Sequence, residues 1–163
     1  MLRKSLIPVF VALMIAVGTV GLAHARTESP IDAPITVKEL MDSPEKLAAA
    51  GYEMVMASSE DRAARVLVTA KKPLKNFRIV AITWVDNNDP NDSTIRFKIL
   101  GTLHARDMFT PDTPICAVVP MMGSIPNIGF FYTAEDGMDR LFSLNQSGRD
   151  GSLYLTAEEI ANK

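Results

Sequence analysis

The sequence predicts a mainly β protein, an antiparallel β-sandwich-like domain with one short N-terminal helix. Three observations carry that expectation. From Tyr52 onward, β-branched and aromatic residues come in short runs separated by clusters of Asp, Asn, Gly, Ser and Pro, the pattern of strands and their turns. One run alternates cleanly, with Ile95, Phe97, Ile99 and Leu103 against Thr94, Arg96, Lys98 and Thr102, which gives one buried and one wet face. Almost no helical periodicity falls between the runs, and that argues against a parallel α/β sheet, whose crossovers need helices.

The chain opens differently. Arg3 and Lys4 precede an uncharged apolar run from Leu6 to Leu22, which ends in Ala23-His24-Ala25. This is the tripartite pattern of a secretory signal peptide over residues 1–25, with small residues at −3 and −1 of a cut after Ala25. The competing reading is an uncleaved anchor, since the run is near the lower length limit for spanning a bilayer. No cysteine lies near the cut, which excludes a lipoprotein anchor. The expected location of the mature chain is the periplasm or the extracellular space. Cleavage removes two of the 17 basic residues and none of the 19 acidic ones. An acidic chain without a basic stripe is not built for nucleic acid, and once the signal is cleaved no membrane partner is expected.

Residues 26–34 are polar and broken by Pro30 and Pro34, a flexible lead-in to a single β-rich domain over residues 35–163. Ser43-Pro44-Glu45 then precedes Lys46-Leu47-Ala48-Ala49-Ala50-Gly51. An N-cap serine, proline at the first helical position and a terminating glycine mark one short helix. Strands follow near Tyr52–Ala57, Ala64–Ala70, Phe77–Val85, Thr94–Leu103, Ile115–Val119, Ile128–Thr133, Met138–Leu144 and Leu153–Leu155. Phe77–Val85 is apolar on both faces and reads as a central strand covered on both sides. Asp136-Gly137 is a hairpin signal. Ser147 to Ser152, with Gly148 and Gly151, reads as a tight strand connection in preference to an anion-binding nest around Arg149.

Most site chemistries are poorly served. The Asp86–Thr94 loop is rich in Asp and Asn, but counted as an EF-hand it places Pro90, Asn91 and Phe97 at the fifth, sixth and twelfth positions, so the ligand pattern fails and a structural turn is expected. Seven of the nine methionines lie beyond Ala25, and Met54 and Met56 share one strand face, the kind of thioether pair that a soft metal uses. Yet the strand register puts His104 on the wet face, and no second histidine remains after signal cleavage to share a metal. Cys116, the only cysteine, sits in the apolar run Ile115-Cys116-Ala117-Val118-Val119, where a buried, inert thiol is the usual outcome. No G-x-S-x-G, H-E-x-x-H or P-loop pattern is present. The acidic pair Glu158 and Glu159 reads as a solvated tail.

Two proline-bracketed segments stand out. Met108 and Phe109 lie ahead of Pro111 and Pro114, and Met121, Met122 and Ile125 lie between Pro120 and Pro126. Apolar side chains where turns usually carry polar ones either lid the core or meet a partner, and flexible methionines beside aromatics suit an adaptable binding surface. These five residues are the sequence candidates for a ligand- or partner-binding site. The functional expectation is an exported, non-catalytic binding or interaction module of the cell envelope, with no catalytic residues, metal or cofactor. Its partner is an envelope or extracellular protein, or a small ligand. A periplasmic soft-metal or calcium protein is the alternative, and a small hydrolase comes third.

Overall fold

The computed structural model describes residues 32–58, 63–85, 94–120 and 125–161. Among these, nine strands and one helix follow in the order β1 (Ile35–Glu39), α1 (Pro44–Ala49), β2 (Glu53–Met56), β3 (Ala64–Ala70), β4 (Leu74–Val85), β5 (Arg96–Phe109), β6 (Ile115–Val119), β7 (Ile128–Thr133), β8 (Asp139–Gln146) and β9 (Leu153–Ile160). Residues 1–31, with the expected signal segment, and residues 86–93 of the Asp/Asn-rich loop lie outside the described residues.

The helix forms where the capping residues place it. Ser43 Oγ accepts from the Lys46 amide at 3.5 Å and Pro44 opens the first turn. At the other end Gly51 has φ +88°. Its amide donates to the Ala48 carbonyl while that of Tyr52 reaches Leu47, the paired closing bonds that a left-handed glycine permits.

The strands form two layers. One is a four-stranded sheet in the order β1-β3-β6-β2, and the other is a sheet of order β4-β5-β9-β8-β7 that curls shut into a five-stranded barrel. The fold is thus sandwich-like, with one layer closed on itself. Two pairings depart from the antiparallel expectation: β2 runs parallel to β6, and β5 runs parallel to β9 over Arg96↔Glu159 and Phe97↔Ile160. Closure removes one pair of exposed sheet edges, which are otherwise a template for aggregation.

Alternation explains which face each strand buries. On β3, Ala64, Val66, Val68 and Ala70 are buried while the intervening residues are partly exposed. They join Ile115, Ala117 and Val119 of β6 in a core shared with Phe77, Ile79, Phe109, Phe130, Phe142 and Leu144 of the barrel. A second, smaller core of Val80, Ile82, Phe97 and Leu141 lies on the opposite barrel face. β4 supplies both cores, so it is apolar on both sides, as its sequence suggested.

The register of β5 is less regular than its sequence. Ile79 pairs with His104 and Val80 with Thr102, then Ala81 with Gly101 and Ile82 with Ile99. Leu103 and Leu100 are therefore extra residues, bulged out of the ladder, and a bulge leaves its residue unpaired while bending the strand. Both leucines are exposed, as is Ile95, whereas Phe97 is buried. The clean alternation thus holds only at Phe97 and Ile99. β9 extends through Ile160, so Glu158 and Glu159 belong to a strand and not to a solvated tail. Glu159 pairs with Arg96 at 3.3 Å. Glu158 accepts from the fully buried Ser143 hydroxyl, and burial raises its carboxyl above the ordinary value.

Candidate functional site

The three described residues among the five sequence candidates, Met108, Phe109 and Ile125, do not form one surface. Phe109 is a core residue: it is the last residue of β5, pairs with Leu74, is fully buried and stacks on Phe77 with ring centroids 4.2 Å apart. The sequence read a loop here because of Pro111, but a proline restricts only its own position and the residue before it, so the strand runs on through Phe109. Met108 beside it faces away from that core and is 45% exposed. Ile125 is 51% exposed, yet it lies at the other end of the barrel. Met108 and Thr133 flank Lys75, whereas the Ile82 amide donates to the Asn127 carbonyl beside the Ala81↔Ile128 pair. The Ile128 and Thr133 levels are about 16 Å apart at the usual rise of a strand. Met121 and Met122 lie outside the described residues.

Ile125 finds different company. It lies in the segment just before β7, where the Ile82 amide still reaches the Asn127 carbonyl. Trp84 pairs with Phe97 across the end of the β4/β5 hairpin, and Ile95, two residues before Phe97, shares that face. Trp84, Val85, Ile95 and Ile125 are 48%, 37%, 62% and 51% exposed. Four large apolar side chains, including the only tryptophan, are thus exposed among the described residues that border the β4/β5 and β6/β7 connections. The sequence missed this because Trp84 and Val85 continue a strand that is buried over most of its length. The β4/β7 ladder ends at the Ala81↔Ile128 pair, and Trp84 and Val85 beyond it are exposed.

At the opposite end Met108 lines a pocket of about 220 Å³ together with Lys72, Pro73, Leu74, Lys75, Tyr132, Thr133, Ala134 and Glu135. Leu74 and Tyr132 are nearly buried and supply an apolar floor. Lys72 Nζ meets Glu135 Oε1 at 2.8 Å, tying the β3/β4 turn to the β7/β8 hairpin. That hairpin is the one its Asp-Gly signal predicted, with the Gly137 amide donating to Ala134 and that of Ala134 to Met138.

A polar seam joins the two layers at Glu53, His104 and Arg106. His104 and Arg106 lie opposite Ile79 and Phe77 and so face the shared core, at the edge where β2 presents Glu53. Arg106 donates through Nη2 to Glu53 and through Nη1 to the Thr113 carbonyl at 3.0 Å. His104 is therefore not on a wet face as the register suggested, because the other sheet covers that side of β5 at its level. Its Nε2 is 3.4 Å from Glu53 Oε1 but out of line, and it is buried with no hydrogen-bond partner. Arg106 holds the carboxylate, so burial dominates and depresses the imidazole below its ordinary value.

A folded histidine with a depressed pKa binds fewer protons than the unfolded chain, so its stabilisation is complete above about pH 6.5 and is lost as pH falls through the folded value. We expect stability to decline from pH 7 toward pH 5.5 less steeply in His104→Gln than in wild type, measured by urea denaturation at each pH. Glu158, whose raised pKa acts in the opposite sense, cancels in that comparison. A variant with the same slope, or with a steeper one, would show that Glu53 and not burial governs His104.

Cys116 is fully buried, and burial raises its thiol above the ordinary value although Arg65 partly opposes this. It sits beside Met54 in the β2/β6 register, with Met56 on the same face. A protonated, enclosed thiol is poorly suited to hold a metal, which takes the thiolate. Among the described residues no three His, Cys, Asp or Glu side chains group as metal ligands, and no helix is long and apolar enough to cross a membrane. No protein-family model matches the chain, and no curated protein or solved structure is detectably similar to it.

Proposed function

We propose that the chain is an exported, non-catalytic binding or interaction module of the cell envelope, working in the periplasm or outside the cell, and that its partner is an envelope or extracellular protein met by the tip of the β4/β5 hairpin. One observation carries this reading: Trp84 and Val85 are exposed on the two faces of the end of β4, a strand whose other large apolar residues are buried, and Ile95 and Ile125 in the segments before β5 and β7 are exposed as well. Large exposed apolar patches mark interaction sites more often than they mark nothing, and tryptophan is the residue most enriched among those that dominate binding energy. Arg96 and Lys98 flank the patch in β5, giving it the polar rim of such interfaces. The export signal supplies the compartment.

The test is photo-crosslinking in the native envelope with a reactive residue at Val85, and with a control at exposed Lys38 on the other sheet. We expect one discrete adduct from position 85 and none from position 38. Trp84→Ser and Ile95→Ser should each abolish the adduct while the melting temperature stays within a few degrees, because surface substitutions usually change stability by less than about 0.5 kcal/mol. Absence of an adduct, or an adduct indifferent to both substitutions, would overturn the tip as the interface.

A further inference from the structure

The Met108 pocket has a chemistry of its own, at the end of the barrel opposite the tip. Its walls take apolar surface chiefly from Pro73, Ala134 and Met108 over a floor of buried Leu74 and Tyr132, and its rim carries two ammonium groups and one carboxylate. The carboxylate is spent, since Glu135 is paired with Lys72 at 2.8 Å. Lys75 makes no ion pair among the described residues and stands across the ladder from Met108. The Tyr132 phenol, protonated at neutral pH like any tyrosine and with its pKa raised further by burial, lines the same pocket as a hydrogen-bonding group. The polar groups left over are thus a cation and a donor, which suit an anion.

Volume limits the rest of the ligand. At about 220 Å³ the pocket falls below the range of pockets for drug-sized molecules. We propose that this pocket binds a small apolar carboxylate, its hydrocarbon body against Pro73, Met108 and Ala134 and its carboxylate at Lys75. A free short-chain acid and the C-terminal leucine of a peptide present the same chemistry. The assignment does not depend on the hairpin tip, which is at the other end of the molecule.

Methyl NMR of the protein labelled at methionine and alanine tests it, with hexanoate, 1-hexanol, N-acetylglycylleucine and the amide of that dipeptide as probes. Hexanoate should give saturable shifts at Met108 and Ala134 with a Kd on the order of 1 mM, the affinity that so few atoms can supply. Hexanol should bind about tenfold more weakly, and Lys75→Glu should weaken hexanoate by a similar factor, since a hydrogen bond to a charged group is at stake. Lys75 is exposed, so that variant should fold, and unshifted methyls of Ala64 and Ala70 in the shared core verify it. Acetylglycylleucine binding while its amide does not assigns the site to peptide termini. Binding of hexanoate alone assigns it to free acids. No saturable shift at Met108, equal binding of hexanol and hexanoate, or indifference to Lys75→Glu would each overturn the proposal.

Discussion

Phe109→Ala should destabilise the protein by about 3–5 kcal/mol, the range for truncating a buried phenylalanine. The side chain is fully buried, stacks on Phe77 at 4.2 Å and lies under the Arg106 guanidinium at 5.7 Å. Its loss opens a cavity beside Phe77, which β4 holds in place. Against a typical total stability of about 5–15 kcal/mol, the change is a large fraction. Urea denaturation at pH 7 should show a lower midpoint with an unchanged slope, which would locate the effect in stability and not in the denatured state. Met108→Ala, one residue earlier and half exposed, is the internal comparison and should cost less than about 1 kcal/mol. Near-equal effects of the two would mean that Phe109 does not carry the core packing described above.

Gly129→Val should be nearly as damaging, for the opposite reason. A Cβ at position 129 would come within 2.8 Å of Leu141 Cδ1, 3.1 Å of Ile82 Cγ2 and 3.3 Å of Val80 Cγ2. These three residues are buried in the small core of the barrel, so none has room to retreat. Adding atoms to a filled interior costs about 1–3 kcal/mol, and a branched side chain belongs at the upper end. Gly129→Ala should fall between wild type and Gly129→Val in thermal unfolding. A valine variant within about 0.5 kcal/mol of wild type would show that the barrel interior is loosely packed.

How much of this was legible beforehand follows from the range of each signal. The helix at Ser43-Pro44 and the hairpin at Asp136-Gly137 could be read because caps and turns are decided by residues within a few positions of one another. Ile35–Glu39 carries too short an alternation to read as a strand, although Ile35 and Val37 alternate with Thr36 and Lys38, because five residues after Pro34 are too few for a periodicity to stand out. The candidate site fared differently. Met108 and Ile125 were grouped because both sit beside prolines, but the β4/β5 and β4/β7 registers send one to each end of the barrel. Trp84 carried no local mark of exposure, since the β4/β7 ladder that ends at Ala81 is formed with a strand distant in sequence.

By itself the sequence determined the β class, the short helix with its caps, and strands whose bounds at Ala64–Ala70, Ile115–Val119 and Ile128–Thr133 match those of the fold. These depend on alternation, turn chemistry and φ preferences, which act along the chain. Only the tertiary structure decided that β2 joins β6 and β5 joins β9 in parallel, that one layer closes into a barrel, and that Leu100 and Leu103 are expelled from β5 as bulges. Those outcomes turn on which faces can be buried against each other at once. Hydrophobic burial is non-directional, so an apolar residue records that it seeks cover and not which distant strand will provide it.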